Sequence, residues 1–69
     1  MREDVDGEIV RLLGDGELTV AFITRFLMER GFDVTRQFVE RRLRVLVSEG
    51  VVESFYTNGN GRKHYRLAR

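Results

Sequence analysis

Asp33-Val-Thr-Arg-Gln-Phe-Val-Glu-Arg-Arg-Leu-Arg-Val-Leu-Val-Ser-Glu-Gly50-Val-Val-Glu53 holds more structural information than any other part of the chain. At helical spacing, Val39, Leu43, Leu46 and Val47 fall within one arc of about 100°, an apolar stripe for a core. Arg36, Gln37, Glu40, Arg41, Arg44 and Ser48 fall in a second arc centred on Arg44. Asp33 or Thr35 supplies the N-cap, because a short side chain with an oxygen can accept a hydrogen bond from a free amide of the first turn. Gly50 stops the helix, since glycine takes the left-handed conformation after a last turn at little cost. The pattern predicts a helix ending at about Ser48. A strand over residues 51–57, rich in β-branched and aromatic side chains, follows at once. Phe38 and Val45 sit together at the edge of the stripe. They either pack beneath another element or form an exposed patch suited to a subunit contact.

Upstream, Thr19 is a good N-cap for a helix from Val20 to Arg30. Ile23, Phe26, Leu27 and Arg30 lie on one side of it, with Phe22 beside them. Gly31 supplies a left-handed stop, and Phe32 follows as an apolar anchor. Further upstream, Val5, Ile9, Leu12 and Leu13 make an apolar stripe on a helix of about residues 3–13. Gly7 weakens that helix by about 1 kcal/mol relative to alanine. Gly14-Asp-Gly16 ends it, and Glu17-Leu18 can form a very short strand. Downstream, Asn58-Gly-Asn-Gly61 is the strongest turn signal in the chain. The return strand spans Arg62 to Ala68, where apolar Tyr65 and Leu67 alternate with basic His64, Arg66 and Arg69. The fold class is α+β: three helices plus a small antiparallel β-sheet with one β-hairpin.

Sixty-nine residues, 42% of them hydrophobic, make one folded domain spanning 1–69. A chain this short buries only about 60% of its unfolded surface, so its core is thin. It has no cysteine, and His64 is its only histidine, so neither a disulfide nor a zinc site is expected. No apolar run approaches the 20 or so residues of a membrane span. The acidic opening Met1-Arg-Glu-Asp-Val-Asp6 is unlike a signal peptide. A cytoplasmic location is the simplest expectation. No Ser-His-Asp or Cys-His set, phosphate-cradling loop or carboxylate cluster is evident, so no catalysis, cofactor or small-molecule ligand is expected. The net charge of +1 conceals an asymmetry: residues 1–17 carry −4, and residues 18–69 carry +5. This layout suits a chain with one face toward a polyanion and one away from it. Eleven of the twelve basic side chains are arginine, whose planar fork matches phosphates and guanine edges.

Phe26-Leu-Met-Glu-Arg-Gly-Phe-Asp-Val-Thr35, the Val39-Leu43-Leu46 spacing and Glu49-Gly-Val-Val-Glu53 together resemble the winged helix-turn-helix domains of prokaryotic (archaeal and bacterial) transcriptional regulators. The likeness covers about residues 18–69 and is looser in the hairpin. It departs from the usual pattern at Phe38 and Val45, where small or polar residues are common. It implies sequence-specific binding of double-stranded DNA, as a homodimer on a pseudo-palindromic site. The helix over 35–48 would enter the major groove, and the wing over 57–64 would touch adjacent backbone or the minor groove.

Carried over by position, Arg36, Gln37, Glu40 and Arg41 would reach base edges, with Thr35 and Arg44 near phosphate. Arginine can fork onto guanine, glutamine onto adenine, and a carboxylate can accept from cytosine N4. Glu40 can alternatively hold Arg36 or Arg44 in an ion pair one turn away. In the wing, Asn58, Asn60, Arg62, Lys63 and His64 would supply polar and cationic contacts. Thr24 and Arg25 are further candidates for backbone contact. Tyr56 and Tyr65 can stack on bases or form the hairpin core or its rim. Each feature also has an ordinary reading: a solvated charged helix face, and a hairpin with basic solubilising residues. A different class of function, protein–protein contact through Phe38, Val45 and Phe55, fits the same fold.

Overall fold

The computed structural model describes residues 4–57 and 61–68. Its elements run α1 (Val5–Leu13), β1 (Leu18–Thr19), α2 (Val20–Glu29), α3 (Arg36–Ser48), β2 (Val52–Tyr56) and β3 (Lys63–Leu67). Each lies within two residues of its expected bounds. Asp4 caps α1, accepting a hydrogen bond from the Gly7 amide at 2.9 Å. The Asp4 carboxylate leans in where a side chain at residue 7 would stand, which gives Gly7 a local role. Thr19 and Thr35 cap α2 and α3 by accepting from the amides of Phe22 and Phe38. Thr35, not Asp33, is therefore the cap of α3.

Both later helices end on glycine in the left-handed region. At α2, Gly31 has φ +92°, Gly31 N–H donates to Met28 and Phe32 N–H donates to Leu27. This pair of bonds satisfies carbonyls that the helix end would otherwise leave open. The same pair closes α3 through Gly50, φ +79°, and Val51. The stop at Gly31 turns the chain back, so α3 packs across α2 within four residues of loop. Val34 is buried in that turn.

Ile9, Leu13, Val20, Ile23, Leu27, Val34, Val39, Leu43, Leu46, Val52 and Tyr65 form one buried cluster. Val5, Leu12, Leu18, Phe32, Phe38, Val47 and Leu67 pack around it. The buried arc of α2 differs from expectation. It is Val20, Ile23, Thr24 and Leu27, whereas Phe22 and Phe26 stay exposed and stack on each other at 6.3 Å. Thr24 tolerates burial because its hydroxyl donates to the Val20 carbonyl at 2.8 Å. Arg30, expected on the apolar side, is exposed and reaches α1 instead. Phe38 packs against the core and Val45 is half-buried, so no exposed apolar patch forms over α3.

The sheet has the order β1-β3-β2, all antiparallel, with β3 in the centre. Tyr65 stands opposite both Leu18 and Ser54. Directly opposed residues share a face. Val52, Ser54, Tyr65 and Leu67 thus face the helices, and Tyr56 and Lys63 continue that face toward the hairpin tip. Glu53, Phe55, His64 and Arg66 form the outer face.

Two ion-pair clusters tie α1 to the other helices. Arg42 of α3 donates to both carboxylate oxygens of Asp6, at 3.0 and 2.6 Å. Glu8 receives Arg11 from its own helix at 2.7 Å and Arg30 from the end of α2 at 2.6 Å. The hydrogen bond from Arg42 holds the Asp6 carboxyl below its usual range, and that from Arg11 does the same for Glu8. A depressed carboxylate in the folded state stabilises the fold above the unfolded pKa, about 4, and that contribution is lost as pH falls through the folded-state values. The melting temperature should therefore drop as pH is lowered from 7 through the carboxylate range. The Asp6→Asn, Glu8→Gln double variant should be less stable at pH 7 and show a flatter acid limb. An acid limb as steep as the parent's would refute the assignment.

Candidate nucleic-acid interface

Helix α3 presents four different sides. Val39, Leu43 and Leu46 point into the core, and Arg42 turns toward α1. Gln37, Arg41 and Ser48 lie on the open side and Arg44 at its border with the groove, all exposed. Arg36 and Glu40 lie toward the hairpin, linked by a loose ion pair of 3.6 Å between Arg36 Nε and Glu40 Oε2. Among the described residues, Arg41 and Arg44 make no ion pair. Their charges are directed to solvent, unlike those of Arg11, Arg30 and Arg42, which are spent on the acids of α1.

The groove between α3 and the hairpin has two compartments. In one, Arg36 and Glu40 face Arg62, Lys63 and Tyr65 across the N-terminal end of α2. In the other, Glu40, Arg44 and Val47 face Ser54, Lys63 and Tyr65. Tyr65 lies in the floor of both, only 7% exposed, so it belongs to the core and holds the hairpin against the helices. Its neighbour Tyr56 is 65% exposed and stands opposite Lys63, at the outer end of the same face. Tyr65 thus fills the hairpin core and Tyr56 lies at its rim, the two places that strand alternation gives them. Lys63 Nζ lies 5.8 Å from the centre of the Tyr65 ring, which keeps the ammonium over the groove.

His64 does not join this groove. It is on the outer face of β3, stacked on Phe55 at 5.7 Å, with its Nδ1 3.1 Å from the Arg62 carbonyl. Arg66 caps the other part of that face, 4.4 Å from the Phe55 ring centre and 2.8 Å from Glu53. Phe55 is therefore covered by its cross-strand neighbours. Asn58 and Asn60 lie outside the described residues. Thr35 is exposed, but its oxygen already accepts the Phe38 amide, so only its O–H proton is available to a phosphate. Thr24 is buried with its hydroxyl bonded inside α2, so it offers no backbone contact. Arg25 is exposed and pairs with Glu29 at 3.4 Å.

The polar arc expected on α3 divides in the structure, with Gln37 and Arg41 on the open side and Arg36, Glu40 and Arg44 lining the groove, where Lys63, also expected from the sequence, lies opposite. Sequence reasoning missed Ser54 as a groove-lining hydroxyl and Arg42 as the tie to α1. The first was open to detection, because Ser54 alternates in register with Val52. The second links residues 36 positions apart and has no local signal.

No known family profile matches the chain, and no curated protein does. Solved structures do. PadR of Bacillus subtilis, in complex with operator DNA, superposes with a TM-score of 0.80 at 23% identity over 93% of this chain and 40% of that one. A transcriptional regulator from Clostridium thermocellum gives 0.79 at 22% identity over 93% of this chain and 65% of that one. The chain thus spans less than two thirds of the length of either. At such identities the likeness speaks for the fold, and it agrees with the three helices, the β1-β3-β2 sheet and the single hairpin described above. The chain has a winged helix-turn-helix fold.

Proposed function

We propose that this domain binds double-stranded DNA sequence-specifically, as a small transcriptional regulator acting in the cytoplasm as a homodimer. Helix α3 docks in the major groove with Arg36, Gln37, Glu40 and Arg41 toward base edges. Thr35, Arg44, Arg62 and Lys63 meet backbone, and Asn58 and Asn60 add polar contacts to the nucleic acid. His64, on the outer face, serves this reading by bracing the wing against Phe55. The observation that carries the proposal is the distribution of cations: those facing α1 are paired to acids, while Arg41 is exposed on the open side and Arg44 lines the groove with Lys63. A free polar helix side flanked by a basic hairpin is the arrangement that phosphate positioning and base readout both need. The Bacillus subtilis neighbour, whose structure contains operator DNA, supports the same reading. Protein–protein contact through Phe38, Val45 and Phe55 has less support, since Phe38 packs on the core and Phe55 is covered by His64 and Arg66.

A salt titration of binding to random-sequence duplex DNA tests this. Each phosphate neutralised contributes a slope of about −0.9 in log K against log salt, so Arg44, Arg62 and Lys63 should give about −2.7 per protomer. Lys63→Ala should weaken all sequences alike and make the slope shallower by about 0.9. An absence of binding at low salt would overturn the proposal.

A further inference from the structure

Glu40 is the single acid among the thirteen residues of α3, in a helix with four arginines. It occupies the middle of the cationic groove and lines both compartments, with Lys63 and Tyr65 opposite it in each. Its side chain is 42% exposed, so its charge reaches whatever enters. Among the described residues its one ion pair, to Arg36, is 3.6 Å long, too loose to consume the carboxylate. The other acids of the hairpin and α2 are better engaged or lie elsewhere: Glu53 bonds Arg66 at 2.8 Å on the outer face, and Glu29 pairs with Arg25 away from the groove.

A groove lined only by cations would hold any duplex, because phosphates carry no sequence. A carboxylate placed among those cations repels every phosphate that approaches and keeps Arg36 partly neutralised. That cost is offset only where a base presents an amine donor, such as cytosine N4, to accept. Discrimination can come from raising the cost of the wrong partner as well as from attracting the right one. We infer that Glu40 is a specificity filter in the α3–wing groove, lowering affinity for non-cognate duplex DNA by repelling its backbone. The inference rests on the DNA-binding reading given above.

The test compares the parent with Glu40→Gln, which removes the charge and keeps a carbonyl acceptor. On random-sequence duplex DNA the variant should bind about 3- to 10-fold tighter, the Coulomb effect of one screened charge near one or two phosphates. Its salt slope should steepen by up to about 0.9, as Arg36 is released to a phosphate. Its preference for a duplex selected on the parent should fall by a similar factor. Glu53→Gln, which removes an acid from the outer face, should change none of these. Thermal melting of each variant checks folding, and the exposure of Glu40 allows the substitution. If Glu40→Gln binds random duplex no tighter than the parent, the filter is wrong and Glu40 merely orients Arg36. If the parent itself binds no duplex, the DNA-binding reading fails and the filter falls with it.

Discussion

Leu43→Ala should bring the protein close to the midpoint of unfolding at room temperature. Leu43 has no solvent exposure and sits at the middle of α3, inside the cluster shared by all three helices and the sheet. Truncating a leucine in such a place costs about 2–5 kcal/mol, the lost transfer energy plus the cavity left behind. A domain of this size has little in reserve, since a single small core rarely supplies more than about 3–5 kcal/mol. The two quantities are comparable, so one substitution removes most of the net stability. Leu43→Met conserves volume and should cost less than about 1.5 kcal/mol. Urea denaturation followed by circular dichroism distinguishes the two. A midpoint for Leu43→Ala close to that of Leu43→Met would show that the core is more compliant than its burial implies. The consequence for function is direct, because the helix that carries Arg36, Arg41 and Arg44 is oriented by this one buried row on its opposite side.

That two-sidedness is why so much of α3 can be read from sequence. The row Val39, Leu43, Leu46 repeats at helical spacing, Thr35 is one of two residues able to cap, and Gly50 at φ +79° stops the turn. These are local constraints with local signatures. The hairpin is similarly legible, since Tyr65 alternates with His64 and Arg66. Taken strictly, that alternation would also have assigned His64 to the outer face, away from Lys63. Helix α2 shows the limit. Its composition favours burying Phe22 and Phe26, yet Val20, Ile23, Thr24 and Leu27 face the core. Which arc is buried depends on where α1 and α3 approach, and a threonine that satisfies its own hydroxyl at 2.8 Å can take a place that hydropathy would give to phenylalanine. Arg42 was invisible for a related reason. Its position on the wheel marks it as neither core nor open face, and only the tertiary approach of Asp6 gives it a partner.

The Arg36→Ala, Arg41→Ala double variant should retain the fold and lose sequence preference. Both side chains are exposed, and neither is tied to another element. Surface substitutions of this kind usually change stability by no more than about 0.5 kcal/mol. Each arginine forked onto a guanine edge discriminates by about 1–3 kcal/mol. Removing two should cut the preference for a selected duplex over random duplex by at least about 10-fold, even at the low end of that range and with imperfect additivity. Binding to random duplex should weaken much less, because Arg44, Arg62 and Lys63 remain to hold the backbone. Arg66→Ala is the matched control. It deletes a charge of the same kind from the same domain, but from the outer face, where the guanidinium pairs with Glu53 and lies over Phe55. It should leave both affinity and preference nearly unchanged. Competition binding against the selected duplex separates the cases. Equal preference in the double variant and the parent would remove Arg36 and Arg41 from base readout. An Arg66→Ala effect as large as theirs would place the nucleic acid on the outer face of the sheet and reverse the docking.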